Sequence, residues 1–115
     1  MQPPGEPGSP GVSIAGPMAT IAIELQDGFR GDAVVIRAGG HEQRLEGVTT
    51  NLAISRAGSV EFAVDDGPTD VEVEVPARGL SVHLRIDAHD RVYVLVGAAP
   101  DRIDASVTSE MPRYL

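Results

Sequence analysis

Residues 70–75 read DVEVEV, and this stretch decides the fold class. Its three valines alternate with two glutamates, so an extended chain carries the valines on one face and the carboxylates on the other. β-Branched residues in strict alternation predict a strand with one face in a core and one in solvent. Pro76 follows at once and ends the strand, because proline cannot donate to a sheet.

The same period of two recurs on both sides of this strand, with turn residues between the segments. The predicted strands cover residues 20–25, 33–38, 41–49, 59–64, 70–75, 80–87, 91–97 and 103–108. Their connections are short, which favours antiparallel pairing. About seven or eight short strands in one chain of 115 residues predict an all-β domain, an antiparallel β-sandwich.

The start of the chain has a different composition. Residues 1–17 alternate proline with glycine and contain no periodic apolar pattern. Such a segment is expected to be a disordered N-terminal arm, a linker or an extension. Residues 18–115 then form a single sandwich domain.

Composition excludes several classes of function. The chain has nine basic residues, all arginine, against 17 acidic ones, and no cysteine or lysine. A net charge of −8 with scattered arginines disfavours nucleic acid and anionic membranes as partners. The missing thiol and amine remove disulfides, thiolate metal sites and Schiff-base chemistry. No cofactor is predicted. Without a signal peptide or a transmembrane segment, we expect a soluble, cytoplasmic protein.

Two predicted strands are apolar on both faces. Residues 33–36 and 91–96 place apolar side chains outward as well as inward, so the outer face is either covered or a contact surface. The alternative is that β propensity alone accounts for these residues and that they are singly exposed. The predicted cover is the C-terminal tail or a second copy of the chain. The interface candidates are Val35, Tyr93, Leu95, Met111, Tyr114 and Leu115.

A turn rich in aspartate suggests a ligand site. Asp65, Asp66 and Asp70 surround Gly67 and Pro68, and oxygen-rich loops can bind calcium. The spacing is not that of an EF-hand, and aspartate is also an ordinary turn residue. These three residues are weak metal candidates, and no other metal ligands are predicted.

Two further patterns resemble functional motifs. Arg30-Gly31-Asp32 forms the RGD tripeptide of adhesion proteins, and it falls in a predicted turn; we interpret it as structural. Ser55, Ser59 or Ser81 could be combined with a histidine and an aspartate as a hydrolase triad. None of them lies in a nucleophile elbow, so no catalytic residue is predicted.

The middle of the chain resembles the transthyretin-like and carboxypeptidase-regulatory-like sandwich modules. The resemblance covers about a third of the chain and lies in Val48-Thr49-Thr50, in Gly58 with Phe62, and in the strand Val71–Val75. It implies a non-catalytic accessory sandwich and assigns no functional residue. An immunoglobulin-like or fibronectin-type topology is the alternative, without the Cys–Trp–Cys pattern of true immunoglobulin domains.

Together these patterns predict a non-enzymatic interaction or structural module whose partner is another protein or a second copy of itself. The alternative is an accessory module that binds calcium or a small ligand through its aspartate turns. A small hydrolase is the second alternative.

Overall fold

Two four-stranded sheets form a β-sandwich in the computed structural model, which describes residues 17–112. The strands are β1 (Met18–Leu25), β2 (Arg30–Ala38), β3 (His41–Thr49), β4 (Gly58–Asp65), β5 (Gly67–Val75), β6 (Leu80–Ala88), β7 (Arg91–Ala98) and β8 (Ile103–Thr108). A single 3₁₀ turn, Pro76–Arg78, joins β5 to β6. The predicted all-β sandwich is confirmed. The predicted disordered arm and Leu115 lie outside the described residues.

The strand order is β4-β1-β7-β8 in sheet 1 and β3-β2-β5-β6 in sheet 2. Five of the six pairings are antiparallel, as predicted, whereas β1 and β7 run parallel. The parallel direction of this pair could not be predicted, because its strands lie far apart in the chain and no hairpin turn sets their direction.

The core lies between the sheets and consists of the side chains that alternation assigned to it. Val71, Val73 and Val75 of β5 are almost fully buried, as predicted. They belong to the same core as a second buried row on β1, Ile21, Ile23 and Leu25. Close packing of such aliphatic side chains is the main source of stability in a domain of this size.

Strand β2 begins earlier than predicted. It starts at Arg30 instead of residue 33, so the RGD tripeptide lies in a strand and the predicted turn is wrong at this point. The pairing of β2 with β3 shifts by one residue around Asp32, which accommodates the irregular start. A further shift, in β3, coincides with Gly47 at φ 63°, and confirms the bulge that a glycine within this strand indicated.

Strand β5 also extends into its predicted turn. It begins at Gly67 and includes Pro68, although proline is uncommon within a sheet. Pro68 pairs with Asp87 of β6, whereas β2 pairs with β5 only from Val71 onward. The proline therefore lies where β5 has a single neighbouring strand, and such an edge position tolerates a missing donor.

Candidate functional site

The outer face of sheet 1 carries a charged cleft around Tyr93. The tyrosine is only 7% exposed, and the guanidinium of Arg91 lies 5.3 Å from the centre of its ring. Arg91 Nε donates a hydrogen bond to Tyr93 Oη at 2.9 Å, and Arg91 also pairs with Glu61. Arg56 pairs with the buried Glu24 at 3.2 Å. The predicted apolar outer face is therefore, at Tyr93, a network of paired charges.

The tail reaches this cleft. Met111 and Pro112 line it together with Tyr93, in a volume of about 190 Å³. Met111 remains 76% exposed, so its side chain lies at the rim of the cleft. Tyr114 and Leu115 lie outside the described residues. The tail thus comes beside the strand that it was predicted to cover, and its role as a cover stays a prediction.

The other two interface candidates lie in different surroundings. Val35 is buried on β2, where the register places it between Arg44 of β3 and Glu74 of β5. Leu95 is partly buried on β7 opposite Ser106 of β8. Val35 belongs to sheet 2, whereas Leu95 and Tyr93 belong to sheet 1, so the fold does not bring the predicted candidates onto one surface.

The predicted metal candidates do not converge. Asp66 lies 2.9 Å from His89 Nδ1, and Asp70 lies 2.9 Å from Arg85. Asp65 is exposed at the end of β4. In the part of the chain that the structure describes, no three histidine, cysteine or acidic side chains come close enough to hold a metal ion. Two of these carboxylates already have cationic or imidazole partners, so the geometry does not favour the calcium interpretation.

The aspartate turn also holds the side chain of His89. Its ring contacts Asp66 at 2.9 Å and Asp87 at 3.2 Å. The hydrogen bond to Asp66, followed by the one to Asp87, raises the pKa of His89 above its usual value, because both carboxylates favour the imidazolium.

Replacing Asp66 by asparagine is expected to lower the pKa of His89 toward the ordinary value of about 6.5. In the native chain, protonated His89 stabilises the fold below about pH 6.5, and this contribution is lost as the pH rises through the raised pKa. A ring-proton NMR titration of both chains measures the shift. Equal pKa values in the two chains would contradict the assigned hydrogen bond.

One flank of the sandwich is formed by the edge strands β6 and β8, here called the β6–β8 flank. Leu80, Val82 and Leu84 of β6 are only partly buried and pack against the margin of the core, as does Ala105 of β8. Val107 of β8 is 48% exposed. This flank is where the structure leaves a row of apolar side chains half open to solvent.

The opposite end of the strands from the aspartate turn holds an ion pair that sequence reasoning missed. Arg78 donates to both carboxylate oxygens of Asp32, at 3.1 and 2.7 Å, and to the carbonyl of Gly28 at 3.0 Å. Asp32 also accepts the backbone N–H of Arg30 at 2.8 Å. The pair joins residues 46 positions apart. The sequence analysis selected Asp32 only as part of the RGD tripeptide. The tripeptide does not indicate Arg78 as the partner of Asp32.

These features define the class: the chain is a two-sheet β-sandwich. It is similar in structure to a protein from Eubacterium rectale solved by NMR, with 14% identity and a TM-score of 0.51, over 84% of this chain and 94% of that one. At this identity the likeness shows the fold alone. No family model and no curated protein matches the chain. The resemblance to transthyretin-like modules stays a prediction. Among residues 17–112, no helix has the length and apolar character needed to cross a bilayer.

Proposed function

We propose that this domain is a non-enzymatic contact module that associates with a second copy of itself along edge strand β6. The observation that supports this proposal is that β6 is a long and uninterrupted edge strand. It has nine residues at the margin of sheet 2, with no proline, glycine or register shift. An edge of this kind presents unpaired backbone donors and acceptors to another strand.

The other three edges carry features that oppose strand addition. Strand β3 is interrupted by its bulge at Gly47. On β4, the backbone carbonyl of Glu61 already accepts a hydrogen bond from Gln43 Nε2 at 3.0 Å. Strand β8 has only six residues. Short edges, bulges, charged side chains and covered edges are means by which proteins prevent edge-to-edge pairing. Strand β6 is neither short nor bulged, and its charged side chains all lie on its outer face.

The sequence of β6 suits antiparallel pairing with itself. When all nine residues pair about a two-fold axis at Leu84, Val82 lies opposite Ile86 of the second copy, so apolar residues meet apolar residues. On the outer face, Ser81 lies opposite Asp87 of the second copy. That register places no two carboxylates and no two guanidinium groups opposite each other, which supports a second copy as the partner.

The first test is the absolute mass of the full chain in solution, measured by light scattering on a sizing column. The native chain is expected to be a dimer. Val82→Lys is expected to be a monomer, because a lysine directed inward at a sheet edge opposes strand pairing. Leu45→Lys, at a partly buried site on the opposite flank, is the matched control and should remain a dimer. A monomeric native chain would overturn the proposal.

Cross-linking locates the contact. The native chain has no cysteine, so any disulfide reports only the introduced residues. A Ser81→Cys, Asp87→Cys chain should form a covalent dimer on mild oxidation, since directly opposed residues lie within disulfide reach. A Ser81→Cys, Arg85→Cys chain has no opposed pair in this register and should stay uncoupled. A dimer that cross-links equally in both chains would refute pairing about Leu84.

A further inference from the structure

A cavity of about 380 Å³ opens where three connections of the sandwich meet. The connections are those between β1 and β2, between β5 and β6, and between β7 and β8. The cavity is lined by Gly28, Arg30, Arg78, Ala98, Ala99 and Pro100. A volume of this size lies within the range of small-molecule sites. The wall is largely apolar, and the two arginines supply its cationic groups.

Arg30 differs from the other arginines of the chain. The structure describes eight arginines, and seven of them have a carboxylate within ion-pair distance. Arg30 is the one described arginine whose guanidinium has no such partner. In a chain with 17 acidic residues, an unpaired guanidinium beside a cavity is conspicuous.

The backbone around Arg30 is held in place on both sides. Its own N–H donates to Asp32 Oδ2 at 2.8 Å, and the N–H of Gly31 donates to Thr49 Oγ1 at 2.8 Å. The Arg78–Asp32 pair fixes the neighbouring wall of the cavity. The Arg30 side chain therefore extends from a backbone held by hydrogen bonds. A ligand that binds its guanidinium would not have to displace a carboxylate of the protein.

We propose that this cavity binds a small organic carboxylate. The ligand's carboxylate pairs with the Arg30 guanidinium, whose planar donors match a carboxylate in bidentate geometry. Its apolar body lies against Ala98, Ala99 and Pro100. Of the acids that flank the lining residues, Asp32 pairs with Arg78 at 2.7 Å and Asp101 pairs with Arg102 at 3.5 Å, and Asp27 is exposed. None of them forms an ion pair with Arg30. This site is independent of the proposed self-association.

The test is an amide NMR titration of the full chain with sodium benzoate. Saturable shifts are expected at Gly28, Arg30 and Ala99. Arg30→Gln should weaken binding about tenfold or more, the loss expected for one charge-assisted pair. Arg44→Gln removes an exposed arginine on β3 and is the matched control, with unchanged affinity. Benzamide, which has the same shape without the charge, should not bind.

Two further ligands distinguish the sources of the carboxylate. A short peptide ending in phenylalanine is compared with its C-terminal amide. Tighter binding of the free-acid peptide than of benzoate would identify a protein C-terminus as the ligand; the reverse order would identify a free organic acid. The absence of saturable shifts with any of these carboxylates, or equal affinity of Arg30→Gln and the native chain, would overturn the proposal.

Discussion

Gly28→Ala is expected to destabilise the fold by about 4 kcal/mol or more, a loss in the exceptional range for a single substitution. Two effects combine. Gly28 has φ 88°, a conformation that L side chains rarely adopt, and a Cβ added there would overlap the backbone carbonyl of Ala98. That carbonyl belongs to the end of β7, whose Ala98 N–H donates to Asp27 O at 2.8 Å. Backbone on both sides of the contact would have to move.

Gly40→Ala separates the two effects. Gly40 has a similar φ of 84°, but a Cβ there would meet no atom within 4 Å. Only the backbone strain remains, so the expected cost is about 1 kcal/mol. Urea denaturation followed by circular dichroism compares the three chains. Because domains of this kind are stable by only about 5–15 kcal/mol, a Gly28→Ala chain recovered unfolded also agrees with the expectation. A Gly28→Ala chain as stable as Gly40→Ala would contradict the close approach to Ala98.

Asp32→Asn is expected to cost about 3 kcal/mol, near the lower limit for breaking a buried ion pair. The side chain of Asp32 is 9% exposed and that of Arg78 is 23% exposed. Removing the carboxylate charge leaves the guanidinium of Arg78 poorly solvated and weakens its bidentate contact. Asparagine has nearly the same shape as aspartate, so the loss of unfolding free energy measures the effect of the charge and not of packing.

Asp70→Asn is the control for that experiment. Asp70 pairs with Arg85 at 2.9 Å, at a distance close to that of the Asp32 pair, but both side chains are more than half exposed. Exposed pairs contribute about 0–1 kcal/mol because water screens them. Chemical denaturation at one pH and one salt concentration gives both free energies of unfolding. Equal losses at Asp32 and Asp70 would show that burial does not strengthen the Arg78 pair.

Much of the fold could be predicted because alternation is a local property. The valines of β5 and the isoleucines of β1 are buried as their period requires. The parallel pairing of β1 with β7 could not be predicted, since it depends on residues distant in sequence. The predicted first residues of β2 and β5 are also wrong, and both strands begin three residues earlier in the structure. Glycine, aspartate and proline indicate a turn whether or not a strand continues through it.

The candidate sites were less accessible to sequence reasoning. Tyr93 is predicted from its position on a strand apolar on both faces, and its hydrogen-bond donor Arg91 lies two residues away on the same strand. Glu61, which pairs with Arg91, comes from β4, on the far side of β1 in the sheet, and could not be predicted. Arg78 is the last residue of the short turn that begins at Pro76, and its contact with Asp32 exists only in the folded chain. Arg30 differs from the other described arginines only in lacking a carboxylate partner, and that difference is visible only in the folded structure. Such sites arise from long-range contacts, which composition and spacing do not encode.

The parallel pairing of β1 with β7 has a consequence for how the chain folds during synthesis. Strand β1 leaves the ribosome first, yet both of its neighbours, β4 and β7, come much later. Contacts between segments so far apart close large loops, and they form slowly. Until β7 has emerged, one edge of β1 stays unpaired, and the apolar row of Ile21, Ile23 and Leu25 lacks part of its core. The nascent chain is thus prone to aggregation from the synthesis of β1 until that of β7. A chain that stalls before β7 leaves the apolar strand β1 exposed.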